Sequence, residues 1–300
     1  MATATGVAGS ALGRVSRLWR RPGRIRRIPV VPLSIVALLL VCAIFANIIS
    51  PHDPRGADET QRERVLKTLV PPFQNWDNPL GTDRRGLDVL TRLIYGARTS
   101  AVISMIALGF GVVAGTVLGL VAGFRGGWAD AIIMRLVDAA LAFPLILVAM
   151  LIVVVLGPGI QNIILAIAAT VWARFARQVR GEVLSIKERD FVTLARIAGV
   201  PDQTIIARHI LPNVVNTLLI VVSLQIGNVI LTEASLSFLG LGLPPGDPAW
   251  GIMVAEGRNF VIDAWWLSLF PGIAITLVVL AFNFFGDWLR DTLDPKLRRL

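Results

Sequence analysis

Few residues in this sequence are placed to do covalent chemistry. Cys42 is the only cysteine and lies inside an apolar run, which excludes an intrachain disulfide and a thiolate zinc centre and leaves a small core residue as the expectation. His52 and His209 are far apart, and neither stands in a metal-ligand spacing such as H-E-x-x-H. The three lysines, Lys67, Lys187 and Lys296, belong to no G-x-x-x-x-G-K-[ST] loop. ATP hydrolysis by this chain is therefore not expected. No nucleophile, base and orienting group stand out together. What remains is a small set of polar residues inside apolar runs, where each is costly and so is a candidate for a transport pathway. Asn216, Gln225 and Asn228 form one group and Asn283 stands apart; hydrogen bonding between helices is the competing account. Asp138 and Arg135 are expected to pair with each other or with headgroup water, and Glu233 is expected at the outer mouth.

These side chains sit in a chain whose 300 residues are 55% apolar, with a mean hydropathy of +0.70. Such values point to lipid rather than water as the main solvent. A helix needs about 20 apolar residues to cross the hydrocarbon core. Residues 32–49, 101–121, 214–231 and 267–285 meet or approach that length without Lys, Arg, Asp or Glu. Residues 132–156 are long enough but carry Arg135 and Asp138, and residues 160–175 are short and begin with Gln161 and Asn162. Six spans are thus predicted. The first is expected to be retained, being too long for a signal peptide and lacking a small-x-small cleavage site after it.

Charge sets the orientation. Of the excess behind the net charge of +9, seven arginines lie in the N-terminal tail without an acid, and seven basic residues lie between Arg174 and Arg208. Arg290, Lys296, Arg298 and Arg299 close the chain. This bias places both termini and the segment after the fourth span on the cytoplasmic side. The basic residues gather beside spans, so no nucleic-acid partner is expected. The loop 52–98 holds eight basic residues as well, but long loops translocate largely regardless of charge. Its prolines, Pro54, Pro71, Pro72 and Pro79, forbid one continuous helix and predict short helices and turns on the outer face. A rigid turn at residues 244–248 is expected nearby, with Trp250, Trp265 and Trp266 as interfacial anchors.

Two patterns predict close contacts. Gly111, Gly115, Gly119 and Gly123 recur every four residues, one step after Ala107, and leave one face of the second span almost bare backbone. Such a face packs tightly on another helix, in this chain or a second subunit. A phosphate-binding loop is disfavoured, because no strand precedes these glycines. The second pattern is a helix, turn, helix over residues 187–213. Phe191, Leu194, Ala195 and Ala198 mark an apolar face. Gly199 is the natural left-handed cap, and Pro201 opens a second short helix with Ile205, Ile206, His209 and Ile210. Pro212 is expected to break that helix before the fifth span. An amphipathic segment lying on lipid headgroups is the alternative.

Here the sequence resembles a known family. Thr-Leu-Ala-Arg-Ile-Ala-Gly (193–199), followed by Ile-Ile-Ala-Arg-His-Ile-Leu-Pro-Asn (205–213), is similar to the EAA loop of type I ABC importer permeases, with Thr193-Leu194 in place of Glu-Ala. Asn-Pro-Leu-Gly-Thr-Asp-Arg-Arg-Gly-Leu-Asp-Val-Leu (78–90), Leu-Ile-Tyr-Gly-Ala-Arg (93–98) and Ser-Phe-Leu-Gly-Leu-Gly-Leu-Pro-Pro-Gly-Asp-Pro-Ala-Trp-Gly (237–251) resemble the C-type subunit of the dipeptide/oligopeptide/nickel permease subfamily. The resemblance implies an all-α integral membrane protein of six transmembrane helices, with a cytoplasmic coupling-helix elbow and a long extracytoplasmic loop. It implies a heterodimer with a B-type permease in a bacterial cytoplasmic membrane, one or two ABC ATPase subunits carrying ATP and Mg, and an extracytoplasmic substrate-binding protein. In that reading Phe191, Leu194, Ala195, Arg196, Ala198, Gly199, Ile206, His209 and Pro212 couple the ATPases to transport of a peptide.

The chain divides accordingly into a basic tail (1–29), a first transmembrane helix (30–50), an extracytoplasmic loop (51–98), a five-helix core (99–289) containing the coupling segment 187–213, and a final tail (290–300). An ion-gradient transporter is the first rival and would need acidic relays within the membrane and often an internal repeat. A membrane enzyme is the second, and would need a catalytic group at one face.

Overall fold

The computed structural model describes residues 28–58, 60–244 and 246–293. The basic N-terminal cluster and the basic residues Lys296, Arg298 and Arg299 lie outside the described residues. The described residues are helical apart from turns and one isolated bridge, Thr82 to Asp88. In chain order the helices are α1 Val30–Ile49, α2 Gln61–Leu66, α3 Val89–Arg125, α4 Gly127–Ala142, α5 Leu145–Leu156, α6 Ile160–Lys187, α7 Asp190–Ile197, α8 Asp202–Ile205, α9 Leu211–Phe238, α10 Trp250–Gly257 and α11 Trp266–Leu293. A π-helical turn at Ile206–Ile210 fuses α8 to α9, so that one helix runs from Asp202 to Phe238.

Among the described residues four helices are long and apolar enough to cross a membrane, and five if α4 and α5 count as one span. The fourth expected span lies within α6, which carries Arg174, Arg177 and Arg180 in its second half and is not among them. The expectation of one straight span over residues 132–156 is corrected. The chain turns through 87° between α4 and α5. Pro144 explains the break, because its ring cannot follow a helical residue and Phe143 is accordingly extended, with ψ at 143°.

The glycine stripe finds its neighbour within the chain. α3 and α6 run parallel, and Gly111, Gly115, Gly119 and Gly123 face Val171, Phe175, Val179 and Val183, a constant offset of 60 residues. The fit is tight enough that a β-carbon on Gly115 would stand 2.5 Å from both the Trp172 carbonyl oxygen and the Phe175 β-carbon. Backbone meets backbone along four successive turns. The main core forms around this seam from Ile103, Ala107, Ile163, Ile167, Phe175 and Val179, all at most 1% exposed. A second core joins α1, the start of α3, α10 and α11 through Leu39, Val89, Trp250 and Trp266.

The loop before α3 is folded, as predicted, into a short helix and turns. Thr60 caps α2 in a capping box with Glu63. Hydrogen bonds from the Thr60 backbone N–H and hydroxyl, each 2.8 Å, hold the Glu63 carboxyl below its ordinary value. The helix α3 begins nine residues before the expected loop end, with Asp88 accepting from the Thr91 N–H at its N-terminus. Two of the expected tryptophan anchors are instead buried. The Trp250 indole N–H donates to the Leu93 carbonyl and that of Trp266 to the Thr82 carbonyl, while Trp265 alone of the three is exposed. Their rings serve the interior that fastens the loop to α10 and α11.

Candidate functional site

The elbow is built as its local sequence dictates. α7 ends in a Schellman motif: the Gly199 N–H donates to the Arg196 carbonyl and the Val200 N–H to that of Ala195. Gly199 has φ +75°, the left-handed conformation that glycine adopts at least cost. Nothing lies within 4 Å of where its β-carbon would be, so backbone strain, not a clash, restricts the position. Pro201 precedes α8, as expected.

The second half differs from expectation. Pro212 does not end the short helix, which is the first part of the long one. A π turn absorbs the proline: the Leu211 N–H reaches back five residues to the Ile206 carbonyl, and the wider turn accommodates a residue that has no N–H of its own.

The apolar face predicted on α7 is split between two surroundings. Val192 and Ala195 are buried against the rest of the chain. Leu194 is 64% exposed and the adjacent Ile197 78%, with Phe191 and Ala198 also exposed. Ala195 therefore belongs to the seat of the elbow, whereas Leu194, Ile197 and Phe191 form an outward apolar patch. The Phe191 and His209 rings lie 6.3 Å apart and join the two arms of the elbow. Ile206 packs half-buried against the core, and Pro212 is exposed. Arg196 lies over the Phe124 ring at 5.2 Å, and Lys187 donates to the Gly123 carbonyl at 3.1 Å, so the elbow is fastened to the end of α3.

α6 and α9 run antiparallel and carry polar groups at matching heights. Arg174 donates to the Gln225 side-chain oxygen at 3.4 Å, and Thr217 donates to Glu182 at 2.9 Å. Gln225 is buried and also accepts from Asn228 at 2.9 Å. Asn216 does not join them. Nine residues before Gln225, it lies about half a turn round the helix, at roughly 100° per residue, and is exposed on the opposite face. Asn283 is half-buried on α11.

Two further expectations are corrected. Asp138 pairs with Arg177 of α6 at 2.5 Å, while Arg180 binds Asp130 through two nitrogens at 2.5 and 2.6 Å. Glu233 is fully buried, accepting from Ser100 at 2.9 Å and Ser237 at 2.8 Å, and so is enclosed between α3 and α9.

At the end opposite the elbow, sequence reasoning missed a buried ion cluster. Arg92 is 1% exposed and contacts Asp83 at 2.5 Å and Glu256 at 2.9 Å. Asp83 also accepts from the Arg85 and Leu87 N–H groups, which folds the turn before α3 around it. Asp83 stands in the stretch 78–90 that carries the resemblance and Arg92 lies just outside it, while Glu256 is 164 residues beyond Arg92 with no spacing that points to it. Among the described residues, no group of three His, Cys, Asp or Glu could hold a metal.

Comparison with known proteins agrees with this architecture. The family described as binding-protein-dependent transport system inner membrane component matches residues 115–299. A dipeptide transport system permease protein DppC of Alkalihalophilus pseudofirmus is 40% identical over 91% of this chain and 87% of its own length. A glutathione transport system permease protein GsiD of Pectobacterium atrosepticum is 41% identical over 93% and 90%. Among solved structures, an inward-facing form of the MetNI methionine ABC transporter superposes with a TM-score of 0.56 at 17% identity, over 68% of this chain and 96% of that one. The chain thus belongs to the family of binding-protein-dependent inner-membrane transport components, and is a multi-pass permease of the type I ABC importer class.

Proposed function

We propose that this chain is the C-type permease subunit of an ATP-driven importer of di- or oligopeptides in a bacterial cytoplasmic membrane. Its six spans leave both termini inside. It pairs with a B-type permease, takes one or two ABC ATPase subunits at the elbow, and receives substrate from a binding protein at the opposite end. ATP and Mg are held by the ATPases, and this chain holds no cofactor. The names of its relatives, which include dipeptide and glutathione transport permeases, support peptide-like substrates.

The observation that carries the coupling role is the outward apolar patch of α7, Phe191, Leu194 and Ile197, on a helix seated in the chain by Val192 and Ala195. Such a knob on a fastened helix is suited to a groove on another protein, since contiguous exposed apolar patches mark interaction surfaces. Push on the patch would pass through Arg196 to Phe124 of α3 and through the fused helix to α9. The test is co-purification of the ATPases with the permease pair, followed by ATP-driven peptide uptake in vesicles. Leu194→Asp is expected to leave the permease pair intact and to release the ATPases. ATPases that stay bound, with uptake at the wild-type rate, would refute the docking role.

A further inference from the structure

We propose that Arg174 is the anion-recognising residue of a substrate site midway through the membrane, and that the group it takes is a carboxylate of the transported molecule. The inference rests on the importer reading and adds to it a place and a chemistry.

Three observations converge. The first is a cavity of about 350 Å³ at the break between α4 and α5, lined by Leu141, Phe143, Pro144, Leu145, Thr170 and Arg174, among others. That volume is in the range that holds a small ligand. The second is depth. The middle of the apolar segment 101–121 is Gly111, which packs on Val171, so Arg174 lies three residues, or roughly 4.5 Å, from the centre of the span. The break itself falls at the middle of the segment 132–156. Interrupted membrane helices that meet at the midplane are a common way to build a transport site.

The third observation is the electrostatic state of Arg174. Its side chain is exposed on the chain, and among the described residues its one hydrogen bond to a side chain, to Gln225, is long at 3.4 Å. Among the described residues no acid pairs with Arg174, and Asp138 of α4 is committed to Arg177. Thr170 is also occupied, its hydroxyl donating to the Ile167 carbonyl of its own helix. A guanidinium this deep in a span calls for an anion, and it offers a fork of donors matched to a carboxylate. The first turn of α5 begins at Leu145 beside the cavity, where the positive end of a helix adds to the same preference. Gln225 and Asn228 stand behind the guanidinium on the facing helix, bonded to each other and, through Gln225, to Arg174.

The test uses the whole transporter in proteoliposomes, with Leu141→Cys in a Cys42→Ala chain and charged methanethiosulfonate reagents. The introduced thiol is expected to react about tenfold faster with the anionic reagent than with the cationic one, the scale of local charge focusing in a cleft. With Arg174→Gln the ratio falls to about one, and with Arg174→Lys it returns. Trialanine is expected to slow labelling and its C-terminal amide to have no effect. The proposal is overturned if the thiol stays unreactive in every nucleotide state. It is equally overturned if Arg174→Gln leaves the ratio unchanged, as pairing with an acid of the second permease would produce, or if the two peptides act alike. Charge-selective labelling with carboxylate-dependent protection, in a complex without ATP-driven uptake, would sink the importer reading and uphold the site.

Discussion

Two glycines on α3 form a matched pair for testing the α3–α6 seam. A β-carbon at Gly115 would stand 2.5 Å from the Trp172 carbonyl oxygen and the Phe175 β-carbon, and 2.9 Å from the Ala176 nitrogen, whereas one at Gly109 would meet nothing within 4 Å. Ordinary contact begins near 3.4 Å, so Gly115→Ala must open the seam by about 0.9 Å. Because the atoms in the way belong to the backbone or stand next to it, no rotamer change relieves the crowding. Overpacking of this kind costs about 1–3 kcal/mol. The same opening weakens the contacts at Gly111, Gly119 and Gly123, since a gap of about 0.5–1 Å forfeits a quarter to a half of each dispersion well. The gain in helix propensity from Gly to Ala, about 1 kcal/mol, applies to both variants and cancels between them. Gly109→Ala is therefore expected to melt slightly above wild type and Gly115→Ala below it, separated by about 1–3 kcal/mol or several degrees in Tm. Thermal melts of the purified permease pair, read by loss of monodisperse protein, decide the matter. Equal melting temperatures for the two variants would refute the reasoning.

Gly199→Val forces a β-branched residue into the left-handed region and costs roughly 1–2 kcal/mol; assembly of the permease pair is expected to persist while substrate-stimulated ATP hydrolysis fails, and normal stimulation would count against the elbow. Ala195→Glu and Ile197→Asp should part ways: the first buries an unpaired carboxylate in the seat of α7 and lowers folded yield, the second leaves yield unchanged and releases the ATPases. Equal yields would show that the two residues do not face different surroundings. Arg92→Met strands Asp83 and Glu256 together at the loop end and is expected to destabilise by about 3–5 kcal/mol. Adding Asp83→Asn and Glu256→Gln should recover part of that loss, and a triple variant no better than the single one would dismiss the ion cluster as a determinant of stability.

Much of the architecture was written in short-range patterns. The four-residue glycine period announced a seam, because 3.6 residues per turn keeps such positions on one face. The cap at Gly199 was legible for the same local reason, since the left-handed turn is a property of one residue. Pro144 and Pro212 show where local reading ends. Pro144 lies in the middle of an apolar run long enough to span, so run length alone predicts one helix where the extended backbone of Phe143 breaks it. Pro212, whose missing N–H predicts a break, is accommodated instead by a wider helical turn. Asn216 could have been separated from Gln225 by angle alone, since nine residues make two and a half turns. The burial of Trp250 and Trp266, the Asp138–Arg177 pair and the role of Glu256 depend on segments distant in sequence and had no local signature. The split of α7 into a seated and an outward face belongs with these, because periodicity gives the direction of an apolar stripe but not how much of it the same chain covers.

The fusion of α8, the π turn and α9 has a mechanical meaning. A helix of 37 residues is about 55 Å long, against a hydrocarbon slab of about 30 Å. It is a rod that passes from the foot of the elbow to Phe238, continuous through the π turn. Displacement imposed at Asp202 would be delivered toward the far tip, where Glu233 accepts from both Ser237 and Ser100. A tilt pivoting near the centre would move the two ends in opposite directions, so that narrowing at one side of the bilayer accompanies widening at the other. Reciprocal opening then needs no message relayed residue by residue; it follows from the stiffness of a single lever.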